Sequence, residues 1–121
     1  TFSVWGDGRA ERDFIHAFDV ARGMIHVVEN EITEPLNLGS GEAVSIREVA
    51  KIIAKTTNKE IVWDTSKPAG DSRRLFDMSK AKSYGFKCEK TLEEGIKDVI
   101  EWYIKNQHLS NNRYNSFTEK K

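Results

Sequence analysis

The stretch VWGDGRAERDFIHAFD, residues 4–19, carries a Gly-Asp-Gly turn, an arginine, an apolar pair and an aspartate in close succession. A glycine turn followed by an arginine is one way to build a phosphate-binding loop. The dinucleotide fingerprint, however, needs three glycines at G-x-G-x-x-G spacing between a strand and a helix, so that backbone N–H groups can approach a pyrophosphate. Here Gly6-Asp7-Gly8 is followed by Arg9-Ala10-Glu11, and the third glycine is missing. A second turn, Gly39-Ser40-Gly41, runs on into Glu42-Ala43-Val44 and fails in the same way. No Gly-Lys-Ser/Thr ending of the mononucleotide loop is present either. Both segments therefore read as β-turns, and what the arginine does must be found elsewhere.

Outward from this stretch, residues 12–16 read as extended, with Phe14 and Ile15 as apolar content. Asp19 reads as the N-cap of a helix on which Val20, Met24, Ile25 and Val28 recur at helical spacing, ending near Asn30. Leu36 and Leu38 alternate with polar neighbours, which predicts a short strand before the second glycine turn. Ser45 and Glu48 form a capping box ahead of the apolar stripe Ile46, Val49, Ala50 and Ile53. Ile61, Val62 and Trp63 predict a strand, followed by the loop TSKPAGDS and an extended segment at 73–77. A short helix at 79–84 should stop at Gly85. A second capping box, Thr91 and Glu94, opens a helix with Leu92, Ile96, Val99, Ile100 and Tyr103 on one face. The pattern is an α/β (α+β) domain of short strands and three to four amphipathic helices over residues 1–107, with a polar, disordered tail at 108–121.

The chain has 121 residues, 38 % hydrophobic and 31 % charged, with a formal net charge of zero. That suits one folded domain and argues against nucleic-acid binding, which usually brings a basic excess. No apolar run approaches the ~20 residues of a membrane span, and no signal-peptide layout opens the chain, so the expected compartment is the cytoplasm. Cys88 is the single cysteine and has no partners at metal-ligand spacing; no metal site is expected.

The chemistry is sparse. His16, His26 and His108 lie far apart in the sequence, and no nucleophile, base and orienting acid assemble. Asp64, Asp71 and Asp77 are explained by turns and caps. Arg12 offers a planar fork of donors beside a glycine turn, suited to phosphate oxygens; the alternative is an ion pair with Asp7, Glu11 or Asp13. Lys67, Arg73 and Arg74 flank a second glycine-containing loop. Two such loops brought together would make a diphosphate site, whereas either alone is a solvated surface. Trp63 is expected in the core, and Trp5, just before the turn, is placed to meet a ligand.

Four ordered segments carry a family resemblance: WGDGRAERDFIHAFDVARG (5–23), PLNLGSGEAVSIREVAKIIA (35–54), IVWDTSKPAGDSRRLFDMSKAKSYGF (61–86) and TLEEGIKDVIEWY (91–103). Together they resemble the C-terminal part of the extended short-chain dehydrogenase/reductase family of nucleotide-sugar epimerases, dehydratases and reductases. The resemblance implies a small substrate-binding domain that lacks its N-terminal Rossmann domain, the nucleotide-sugar lying between the two. It implies NAD or NADP as cofactor of the full-length enzyme and none bound by this fragment. It further implies that Arg12 contacts the substrate diphosphate, that Trp5 lines the pocket, and that Lys67, Asp71 and Arg74 belong to the substrate loop. Where one branch of the family has a substrate-contacting aspartate this chain has Ala69, and Gly70-Asp71 resembles the epimerases instead. The base and sugar stay open, as does a homo-oligomer. The tyrosine-x-x-x-lysine pair of the family is absent: Tyr84, Tyr103 and Tyr114 are followed four positions on by Cys88, Gln107 and Thr118. Without cofactor and proton donor held together, no catalysis is expected from this chain alone. A non-catalytic interaction domain of the same ancestry is the other reading.

Overall fold

The computed structural model describes residues 1–110. The elements run β1 (Phe2–Trp5), β2 (Glu11–Arg12), α1 (Ala17–Glu29), β3 (Val44–Ser45), α2 (Ile46–Thr57), β4 (Ile61–Asp64), β5 (Arg73–Arg74), α3 (Ser79–Ser83), α4 (Leu92–Lys105) and α5 (Gln107–Ser110). Short strands thus alternate with amphipathic helices, the α/β character read from the pattern. The sheets are small. β1 pairs with β4 in parallel, and β2 lies between β3, antiparallel to it, and β5, parallel to it. Parallel pairing joins segments distant in sequence, and here it brings the first glycine turn beside the loop at 65–72.

Both capping boxes form. The Ser45 hydroxyl accepts from the Glu48 N–H, and the Thr91 hydroxyl from the Glu94 N–H, with the glutamates reaching back to the cap backbone. α2 ends at Asn58 in the left-handed region, φ 52°, where asparagine is among the tolerated residues. α3 stops before Gly85, φ 83°, as expected.

Five expectations need correction. α1 is capped by His16, not Asp19: the imidazole Nδ1 accepts from the Phe18 N–H at 3.1 Å. Asp19 lies inside the first turn and is fully buried. Segment 12–16 is paired as a strand only at Arg12, because among the described residues no neighbouring strand continues alongside it, although His16 keeps extended backbone. The segment at 73–77 likewise pairs only at Arg73 and Arg74. Leu36 and Leu38 form no strand; among the described residues no strand lies beside them to complete a ladder, and both pack instead on the Met78, Ala81 and Phe86 cluster. Leu38 also presses on α1 at Gly23, where a Cβ would come within 2.7 Å of its Cδ1. Finally, Met24, Ile25 and Val28 on α1 are exposed, as are Val99 and Tyr103 on α4, so part of each apolar stripe faces outward. Gln107–Ser110 makes a short helix, and the rest of the tail at 111–121 lies outside the described residues.

Asp19 ties the fold together. Its carboxylate accepts from the Glu89 and Lys90 N–H groups, each at 3.0 Å, and from Arg22 at 2.9 Å. Arg22 continues to Glu89 at 2.7 Å, so α1 is clamped to the segment that leads into α4. Burial works to raise the pKa of Asp19, but the two backbone donors and the Arg22 guanidinium outweigh it and hold the carboxyl below its ordinary 3.8. A depressed folded-state value adds stability above the unfolded-state value, and that stability is lost as pH falls through the folded-state value. The melting temperature should therefore drop as pH is lowered below about 4, and Asp19→Asn should flatten that drop. Thermal melts of both proteins across that range check it.

Candidate functional site

The five residues singled out in the sequence sit on two loops, and the fold brings those loops together. β1 ends at Trp5, and the Gly6 N–H donates to the Asp64 carbonyl at 2.8 Å, so the turn leaves the β1–β4 ladder at a defined point. Gly6 has φ 80°, and a Cβ there would lie 3.0 Å from the Ala69 Cβ. On the far side of the turn the Glu11 N–H donates to the Ser72 carbonyl at 2.9 Å, and Arg12 stands in register with Arg74 across the parallel bridge. A Cβ on Gly70, φ 73°, would meet the Arg12 Nη2 at 3.4 Å. The first glycine turn and the Lys67–Arg74 loop are thus in contact along their length.

The side chains form a basic ledge. The Trp5 ring is 59 % exposed, and the Lys67 Nζ sits 5.8 Å from its centroid, within cation–π range. Arg12 is half-buried; its Nη1 donates to the Glu11 carbonyl at 2.7 Å, and among the described residues it makes no ion pair. Its three alternative partners are engaged elsewhere: Asp7 with Arg9 at 3.2 Å, Glu11 with Arg73 at 3.4 Å, and Asp13 with a different loop. Arg74 pairs with Asp71. The five residues therefore lie on adjoining segments, where Arg12 and Lys67 are the cations without a carboxylate partner among the described residues.

The second glycine turn is not part of it. Asp13 fills that concavity: its carboxylate accepts from the Ser40 N–H at 2.6 Å, the Ser40 hydroxyl at 2.7 Å and the Gly41 N–H at 3.0 Å. A backbone nest that could take an external anion already holds an internal one. Sequence reasoning missed this role of Asp13, because nothing local signals a contact across 27 residues.

Trp63 is half-buried rather than in the core, packed under Gly8 and lying 5.3 Å from the Arg47 guanidinium. Cys88 is half-buried near the Gly39 carbonyl; burial first, then the Asp19 and Asp13 charges, pushes its pKa up, so the thiol is protonated at neutral pH. The histidines do not converge: His16 caps α1 and His26 bonds the Tyr84 carbonyl at 2.7 Å. Among the described residues no group of three or more His, Cys, Asp or Glu side chains could hold a metal ion, and no helix is long and apolar enough to cross a membrane. A separate apolar groove of about 310 Å³, walled by Phe14, Ile15, Ile53, Ile96 and Ile100, shares no residue with the ledge.

The model of the GDP-mannose 4,6 dehydratase family matches residues 1–99. The chain belongs to that family. It sits among the extended short-chain dehydrogenases/reductases, as the four motifs indicated. Over 106 residues it is 37 % identical to the probable GDP-L-fucose synthase 1 of Oryza sativa, covering 85 % of this chain and 32 % of that one. It is equally, 37 %, identical to the GDP-L-fucose synthase of Escherichia coli, over 86 % of this chain and 36 % of that one. Among solved structures, MlghC, a GDP-mannoheptose C4 reductase from Campylobacter jejuni with NADP bound, superposes with a TM-score of 0.71 at 33 % identity. That superposition covers 84 % of this chain and 34 % of the reductase. The chain therefore spans about a third of the length of the relatives it matches.

Proposed function

We propose that this chain is the substrate-binding part of an NAD(P)-dependent nucleotide-sugar epimerase, dehydratase or reductase of the GDP-L-fucose synthase kind. On the ledge Trp5, Arg12, Lys67 and Arg74 grip the nucleotide diphosphate, and Asp71 lines the same site through its pair with Arg74. The observation that carries this reading is the convergence of the two loops around an arginine with no internal carboxylate. A half-buried guanidinium with free donors presents a planar fork to a pair of phosphate oxygens, and two neighbouring cations add the charge a diphosphate needs. On this reading hydride transfer, with its nicotinamide and proton donor, belongs to a Rossmann domain of the whole enzyme outside these 121 residues. The outward apolar stripes of α1 and α4 give that domain faces to pack on.

Titration of the chain with GDP, UDP and dTDP, followed by tryptophan fluorescence, tests the assignment. Weak binding, on the order of millimolar, is expected for half a site. Arg12→Ala should weaken it roughly tenfold or more, the usual scale for one charge-assisted contact, and the preferred base names the substrate class. Binding of equal strength in the variant would remove Arg12 from the site and the reading with it.

A further inference from the structure

We infer that Asp71 is the counter-ion of the ligand-free site: its carboxylate holds Arg74 until the diphosphate takes its place. This rests on the reading of the ledge as a diphosphate site. The parallel bridge between β2 and β5 has two rungs. In one, Glu11 faces Arg73 and the pair forms an ion pair at 3.4 Å. In the other, Arg12 faces Arg74, two like charges on neighbouring strands, an arrangement that destabilises a sheet unless something neutralises it. Asp71, three residues before Arg74, supplies that neutralisation from the loop.

The same geometry makes the contact replaceable. Both partners are largely exposed, their side chains 64 % and 71 % accessible, so neither is held by packing. Exposed pairs of this kind contribute little to stability and give way readily. A guanidinium presents the same donor fork to carboxylate and to phosphate, and a diphosphate brings more charge than one aspartate, enough to engage Arg12 and Arg74 together. Asp71 follows Gly70, where a Cβ would lie 3.4 Å from the Arg12 Nη2, so the displaced carboxylate leaves from beside the incoming phosphate. The consequence is selectivity. A polyanion able to satisfy both arginines displaces Asp71 effectively, whereas a single phosphate gains little by doing so.

The test is calorimetric or NMR titration of the chain with inorganic pyrophosphate, GDP and inorganic phosphate, using wild type, Asp71→Asn, Arg12→Ala, Arg74→Ala and the Asp71→Asn/Arg74→Ala double variant. Asp71→Asn should bind pyrophosphate and GDP roughly two- to fivefold more tightly than wild type, the scale of an exposed ion pair. It should tighten inorganic phosphate less, because a single phosphate gains little by reaching Arg74, and in the Arg74→Ala background its gain should vanish. Weaker binding by Asp71→Asn would mean that Asp71 touches the ligand directly and would overturn the inference. An unchanged affinity would overturn it as well, while a loss in Arg12→Ala kept the site assignment intact. A wild-type chain that takes up neither pyrophosphate nor GDP would remove the site and the counter-ion together.

Discussion

Asp19→Ala is expected to destabilise the chain by about 3–5 kcal/mol, the scale for breaking a buried, hydrogen-bonded charge pair. The carboxylate is fully buried and answers three donors at once: the Glu89 and Lys90 N–H groups and Arg22. Alanine leaves two amides without a partner and Arg22 with only Glu89 and the Lys87 carbonyl. The fully hydrophobic core is small, with Ala10, Ala50, Met78, Ala81 and Phe86 as its buried apolar residues. A loss of this size is then a large fraction of the ~5–15 kcal/mol that domains usually possess, and the urea transition should shift far to the left or lose its cooperativity. Asp19→Asn keeps the volume and one acceptor, so its loss should be smaller. Equal midpoints for wild type and Asp19→Ala would show that the clamp between α1 and the approach to α4 contributes nothing.

Gly8→Ala is the second large effect, and it reaches the site through the fold. Gly8 has φ 75°, a conformation that costs an L-residue about 1–2 kcal/mol. A Cβ there would also stand 2.5 Å from two carbons of the Trp63 ring and 3.1 Å from the Arg47 Cβ. Relieving that overlap means moving Trp63 off its seat in β4, at roughly 1–3 kcal/mol more, so the total should be about 2–5 kcal/mol. The Gly8 carbonyl accepts from the Arg47 N–H at 2.9 Å, and the Asp7 carbonyl accepts from the Arg47 guanidinium, so the turn is anchored to α2 from both sides. Shifting it should move Trp5 and Arg12 relative to the Lys67–Arg74 loop. The variant should therefore melt earlier and also bind nucleotide diphosphates more weakly than wild type at temperatures where it is still folded. Lower stability with unchanged binding would separate the turn's structural role from the site.

What was legible in the sequence follows the range of the interactions. Ser45 with Glu48 and Thr91 with Glu94 are capping boxes closed within four residues, and both helices begin where those pairs place them. Ile61, Val62 and Trp63 form a strand because their own side chains favour one. The two-residue strands β2, β3 and β5 are different: the extended readings at 12–16 and 73–77 reached Arg12, Arg73 and Arg74, but each strand exists only where a partner from elsewhere lies beside it, and no local pattern sets those limits. Leu36 and Leu38 show the converse, an alternating pattern with no neighbouring strand to use it. Asp19 looked like a cap because aspartate before an apolar stripe usually is one; a histidine three residues earlier took that role, and the carboxylate was drawn inward by amides 70 and 71 residues away.

The site was legible as a list of residues and not as a place. Glycine turns beside arginines marked Arg12 and the Lys67–Arg74 loop, and their convergence depends on the β2–β5 pairing that the sequence does not display. The distinction between the two glycine turns was equally hidden. It lies in where three carboxylates go: Asp13 into the Gly39–Gly41 nest, Asp7 to Arg9 and Glu11 to Arg73, which leaves Arg12 available.

That distinction is also the most direct point of attack. Titrating the isotopically labelled chain with GDP and following its backbone and side-chain N–H resonances by NMR reports every candidate surface at once. Shifts are expected at Trp5, Gly6, Gly8, Arg12 and residues 67–74, with Gly39, Ser40 and Gly41 unmoved because Asp13 already occupies the Ser40 and Gly41 N–H groups and the Met78 sulfur that of Gly39. Shifts centred on Gly39–Gly41, or on the apolar groove beside Ile96, with the Arg12 ledge silent, would contradict it.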